Sequence, residues 1–305
     1  MSEDGALPVH EVDRGVAFLI PGRSLRGRLV RLDAVLNDVL SAHAYPPVVE
    51  RLVTEALVLA CLLGTMLKDD AGQLTLQAQT DNGPVSLLVA DYKGGAVRGY
   101  AQYDVDKLAE VGPSPSLFGL FGKGFLALTF DLATTGERYQ GIVPLEGDSL
   151  AQAAEHYFAQ SEQIPSVAQI AVRHDPGEAC VAAGLLLQHI PEGEVGRDRL
   201  HVRHDHPDWE HGAIMARTLK DAELTDVALP LTDIVWRLFH QEGEIRVTEE
   251  TDVVKGCRCD SAHFASVLSR FPAEERGDMA DEKGDIVVDC AFCSRKFAIP
   301  LGDLA

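Results

Sequence analysis

Four of the six cysteines in this 305-residue chain fall between positions 257 and 293, as Cys257-Arg258-Cys259 and Cys290-Ala291-Phe292-Cys293. Two close thiol pairs separated by a loop supply the four sulfur donors of a tetrahedral zinc site. A C-terminal module of roughly 55 residues has little core of its own. Zinc binding in such modules contributes on the order of 10–16 kcal/mol of folding free energy. One residue between Cys257 and Cys259 sets their α-carbons roughly 5.5–7 Å apart, mostly within disulfide range. The second pair has the spacing of redox-active dithiols. Either pair can close on itself when oxidised, which removes two ligands and the module's largest stabilising contribution. The pattern points to a switch as well as a clip.

Cys61 and Cys180 stand alone in apolar stretches, where a free thiol behaves as a small buried hydrophobe. A scattered disulfide framework belongs to small secreted proteins, and this chain is not one. The charge balance is acidic, 27 Lys+Arg against 47 Asp+Glu, a formal net charge of −20. Such a surface repels phosphate backbones and anionic lipid, so neither nucleic acid nor membrane is expected as a partner. The acidic start from Met1 to Gly5 is unlike a signal peptide. The longest apolar run, 56–67, is too short for a bilayer. A cytoplasmic protein is expected.

The first 190 residues read as one α+β unit. Strands are expected at 16–20, 28–32, 74–80, 85–90, 97–103, 125–132, 139–145 and 168–173, with hairpin signals at Asp81-Asn82-Gly83 and Thr135-Gly136. Helices are expected at 33–40, 47–68 and 150–160, with 181–189 as a closing apolar helix. Strands in hairpins mixed with helices argue for α+β rather than a doubly wound parallel sheet. Residues 191–245 read as a linker: 192–210 is polar, and amphipathic helices follow near 209–222 and 231–241. The second of these carries Ile234, Val235, Trp236, Leu238 and Phe239, a heavy apolar load for a connector. Residues 246–305 form the cysteine module, with helices at 262–270 and 273–282 and strands at 285–289 and 296–299 around the second pair.

Other constellations carry less. His201, His204, His206 and His211 have metal-like spacing, but no cysteine lies near them and Pro207 interrupts any helix that would align them, so the stretch 201–211 reads as solvated linker. His263 is superfluous beside four thiolates. Gly119–Gly124 lacks the phosphate-loop pattern and reads as a turn into the next strand. There is no nucleophile elbow, no zinc-protease motif and no dinucleotide fingerprint, so an enzyme is not expected.

Over nearly its whole length the chain resembles the heat shock protein 33 family, redox-regulated holdase chaperones also called 33 kDa chaperonins. The resemblance rests on Cys-x-Cys and Cys-x-x-Cys at this separation, with Asp281-Glu282-Lys283-Gly284-Asp285 before the second pair. It also rests on Trp236-Arg237-Leu238-Phe239-His240 followed by Glu242, on Gly122-Lys123-Gly124, on Gly136 to Gly141 and on Ser161-Glu162-Gln163. The resemblance implies an inactive, reduced monomer with one Zn2+ on Cys257, Cys259, Cys290 and Cys293. It implies that oxidation ejects zinc and forms the disulfides Cys257–Cys259 and Cys290–Cys293. Module and linker then unfold, and the exposed apolar surface holds unfolding client proteins without ATP, as a homodimer. Met215, Leu219, Ile234, Trp236 and Phe239 are the candidate client-binding residues, expected to stay covered only while the module is folded. Two other readings stand beside this one, a zinc-ribbon nucleic-acid regulator and a thiol–disulfide oxidoreductase using Cys290 and Cys293.

Overall fold

The structure, a computed structural model, describes residues 12–67, 69–112, 115–174, 178–190 and 205–304. Its centre is a helix whose second half is apolar on every side. Strands β1 (Arg14–Ile20) and β2 (Leu25–Leu32) form a hairpin, and the short helix α1 (Ala34–Leu40) leads into α2 (Pro47–Gly64). Pro47 occupies the first turn of α2, where its missing N–H costs nothing. From Ala56 to Gly64 every residue of α2 is buried, which requires cover on all sides. Two sheets supply it.

One is six-stranded. Strands β3 (Gln73–Gln79), β4 (Val85–Lys93) and β5 (Ala96–Tyr103) are followed by short helices α3 (Val105–Ala109) and α4 (Leu117–Phe121), then by β6 (Phe125–Leu132) and β7 (Glu137–Pro144). The expected hairpins are present: β3 pairs antiparallel with β4 and β6 with β7. Helix α5 (Leu150–Tyr157), β8 (Ser166–Arg173) and β9 (Val181–His189) follow.

Residues 181–189 are a strand, which corrects the helix expected there. All nine are buried. β9 pairs with β2 on one side and β8 on the other, with helices over both faces, so the polar alternation that would have marked a strand is missing. At Gly184 α2 lies close against β9: a Cβ there would stand 2.8 Å from Leu62 and from Val58.

The remaining elements are α6 (Pro207–Arg217), α7 (Asp221–Leu224), α8 (Leu231–Phe239), β10 (Arg246–Asp252), β11 (Val254–Lys255), α9 (Ser261–Leu268), α10 (Ala273–Met279), β12 (Asp285–Asp289) and β13 (Lys296–Pro300). β10 joins β1, giving a five-stranded sheet of order β10-β1-β2-β9-β8, and β11 lies parallel to β5 at the edge of the other sheet, of order β11-β5-β4-β3-β6-β7. One face of the five-stranded sheet meets α2. On the other face Phe18, Leu25, Leu29, Leu185 and Leu187 pack against Trp209, Ala213, Leu224, Ile234 and Phe239 of the helices α6 to α8.

Candidate metal centre

Cys257 and Cys259 lie on the extended chain leaving β11, and Asp260 closes that segment by capping α9, its carboxylate accepting from the His263 N–H at 2.7 Å. Cys290 and Cys293 form the knuckle of the β12–β13 hairpin. There the Ser294 N–H donates to the Cys290 carbonyl at 2.8 Å, and the Cys290 N–H donates to the Arg295 carbonyl at 2.9 Å. Ser294 takes a left-handed φ of 55° to close the turn. These elements bring all four sulfurs within 4.8 Å of one another.

Cys257 Sγ stands 3.2 Å from Cys259 Sγ and 3.6 Å from Cys290 Sγ, and Cys259 Sγ stands 3.5 Å from Cys293 Sγ. A zinc ion bonded to four sulfurs at about 2.3 Å has tetrahedral edges of roughly 3.8 Å. The observed separations are a few tenths of an ångström shorter, so the set fits zinc with a slight opening. All four cysteines are free thiols. Burial pushes the Cys257 thiol up, but hydrogen bonding with Cys259, Cys293 and Cys290 outweighs it and brings it down to about 7. Burial and the neighbouring thiols push Cys259 up.

Away from the sulfurs the module holds itself together weakly. Its buried apolar residues are Leu268, Ile286, Cys290, Ile299 and Leu304, with Phe264 and Phe297 in ring contact at 5.0 Å beside them. A core that small needs a crosslink.

The module rests on the outer face of the six-stranded sheet through residues inside the cysteine pairs. Arg258 donates from Nη2 to Asp91 Oδ2 at 3.1 Å. Phe292 lies under the Arg98 guanidinium, 3.8 Å from its centre, and meets the Tyr100 ring at 4.8 Å, edge to face. His43, between α1 and α2, reaches the Phe292 carbonyl at 3.4 Å through Nε2 and the Ser294 hydroxyl at 3.3 Å through Nδ1. Asp91, Arg98, Arg258, Phe292 and His43 are absent from the sequence-derived site. Asp91 had one local signal: it is an acid inside the otherwise apolar run Leu87–Tyr92 of β4. Arg258 and Phe292 carried none beyond their place between the cysteines.

The other sequence-derived candidates fall elsewhere. Cys61 and Cys180 are buried singly, each with its thiol pushed up, by burial above all. His206 caps α6 through Nδ1, and Pro207 opens that helix rather than breaking it. His211 Nε2 pairs with Glu242 at 2.9 Å, and His201 and His204 lie outside the described residues. Leu219, Ile234 and Phe239 are buried and Met215 half-buried, covered by the five-stranded sheet. Trp236 departs from the expected cover: it is 62% exposed, on the outward face of α8 against His240. Among the described residues no helix is long and apolar enough to cross a membrane.

Comparison with known proteins agrees with this arrangement. Residues 13–300 match the family model described as Hsp33 protein. The 33 kDa chaperonin of Caulobacter vibrioides is 38% identical over 290 residues, covering 93% of each chain. That of Vibrio cholerae is 35% identical over 289 residues, covering 94% of this chain and 92% of its own. The crystal structure of the 33 kDa chaperonin from Thermotoga maritima superposes with a TM-score of 0.77 over 96% of both chains, at 22% identity, and shares the fold. With its four-cysteine module in place at the end of an α+β core, the chain belongs to the Hsp33 family.

Proposed function

We propose that this chain is a redox-regulated holdase, a chaperone that acts without catalysis or ATP, and that Cys257, Cys259, Cys290 and Cys293 hold one Zn2+ in its reduced state. The observation that carries the reading is the gathering of four sulfurs within 4.8 Å in a module with so small a core of its own. When bound, the metal supplies the crosslink that this core lacks. Oxidation to Cys257–Cys259 and Cys290–Cys293 disulfides removes the ligand set. Cys257 has both Cys259 and Cys290 within reach, so the pairing is taken from the family resemblance and is open to peptide mapping of the oxidised chain.

The functional division, a core at 1–190, a linker at 191–245 and a switch module at 246–305, belongs to this proposal. In the reduced chain the linker helices bury Leu219, Ile234 and Phe239 against the sheet, and β10 and β11 tie the start of the switch region to both sheets. Release of the module would loosen those strands and then the helices. The freed apolar faces, with Met215 and the already exposed Trp236, would take up unfolding client proteins. Oxidised chains would pair as homodimers, and the acidic surface would keep the opened form in solution. The cytoplasm, where thiols are kept reduced, is the compartment in which such a switch is informative. Nothing in the site favours a nucleic-acid regulator or an oxidoreductase.

The test follows zinc release and light scattering from an unfolding client on one sample, before and after peroxide at elevated temperature. Holdase activity is expected as roughly one zinc leaves per chain. Zinc release with unchanged scattering would reduce the cysteines to a structural or sensory site.

A further inference from the structure

Asp91 on β4 is only 4% exposed, a depth at which a carboxylate requires cationic or hydrogen-bonding partners. Its own domain supplies three donors: Thr75 Oγ1 at 2.9 Å to Oδ1, and Arg98 Nε at 2.9 Å and Nη2 at 2.6 Å to Oδ2. Asp91 and Arg98 face each other in the β4–β5 register, so this half of the contact is built into the sheet. The module completes it. Arg258, between Cys257 and Cys259, adds a second guanidinium to Oδ2 at 3.1 Å. Phe292, between Cys290 and Cys293, stacks as a cation–π partner on the guanidinium of the same Arg98, whose edge holds Asp91, and is seated against Tyr100. Arg98 thereby joins the two cysteine pairs through the core.

We propose that Asp91 and Phe292 are positioning residues of the metal centre: they clamp both cysteine pairs to the outer face of the six-stranded sheet, so that the sulfur set opens only as the module lifts. The proposal rests on the zinc-switch reading above. Backbone bonds extend the clamp, with the Val254 N–H donating to the Gly95 carbonyl and the Gly256 N–H to the Val97 carbonyl, each at 2.9 Å, just ahead of Cys257. By linkage, docking that retains the ligands in register raises the affinity for the metal, and loss of the metal weakens docking by the same factor; the added hold also slows metal loss. Without Asp91 two guanidiniums face each other unneutralised, which favours the lifted module.

The test uses the reduced, zinc-loaded full chain with Asp91→Asn, which keeps the shape and removes the charge, and separately Phe292→Leu, which keeps the bulk and removes the ring. Zinc transfer to a chromogenic chelator and hydrogen exchange at the Val254 and Gly256 amides are measured, with the β9 amides as a control on core integrity. Both variants are expected to release zinc and exchange these two amides about tenfold faster, with β9 unchanged. Wild-type rates in either variant, or acceleration only together with β9, would overturn the clamp. A wild-type chain that holds no zinc would defeat the metal reading instead, and exchange at Val254 and Gly256, which needs no metal, would still decide the clamp.

Discussion

Arg31 Nε donates to the Leu224 carbonyl oxygen across 2.8 Å, joining a fully buried cation on β2 to the end of α7. Its Nη1 reaches the Leu229 carbonyl at 2.8 Å, so one side chain ties down both ends of the turn between α7 and α8. Arg31→Met retains the bulk and strips these carbonyls of their donors. Unfolding stability should fall by roughly 2–5 kcal/mol, from the desolvation of two or more acceptors. A urea transition checks this, and the reduced variant should bind an apolar dye that the wild type does not.

Cys257→Ser should abolish stoichiometric zinc and leave the module without its crosslink. Amides of the β12–β13 hairpin should then lose protection while those of β9, held between α2 and α6–α8, keep theirs. Zinc analysis and hydrogen exchange on the same preparation read both effects. Full retention of zinc by this variant and by Cys290→Ser would remove the four-sulfur site.

Docking of the module should strengthen as pH rises through the range just below 6.5. Burial holds His43 below its ordinary value of 6.5 and Lys255 adds repulsion, against the opposing pull of the Phe292 carbonyl. The released chain therefore binds the proton more tightly than the docked one. Stability contributed by the neutral ring is present above about 6.5 and is lost as pH falls toward the lowered value. Melting temperatures between pH 5 and 7.5 should climb more steeply for the wild type than for His43→Gln, and parallel curves would refute the assignment.

Trp236→Ser removes a large ring that is mostly exposed on the outward face of α8. Stability should change by no more than about 0.5 kcal/mol, while the oxidised chain should suppress client aggregation less effectively. Unchanged suppression would remove Trp236 from the client surface.

Phe239→Ala tests the opposite case, a buried candidate. Its ring contacts Phe18 at 5.9 Å between centroids, and truncation of such a core aromatic costs roughly 3–5 kcal/mol. The reduced variant should show α8 loosened from the sheet by hydrogen exchange before any oxidant is added.

The sequence by itself determined the four-cysteine pattern and most of the local structure. The spacing of four cysteines pointed to the cluster of sulfurs that the structure gathers within 4.8 Å, because ligand spacing is carried by short separations along the chain. Turn residues placed the β3–β4 and β6–β7 hairpins, and apolar periodicity placed α2 and α8, because those signals are local. Only the tertiary structure decided 181–189, where the uniformly buried Val-Ala-Ala-Gly-Leu-Leu-Leu run suits helix and strand alike until β2 and β8 flank it. It alone decided that Trp236 faces outward on a helix whose other aromatic, Phe239, faces in. It alone brought Asp91 to Arg258, separated by 167 positions, because a carboxylate buried by one part of the chain and a guanidinium carried by another meet only when the two parts pack.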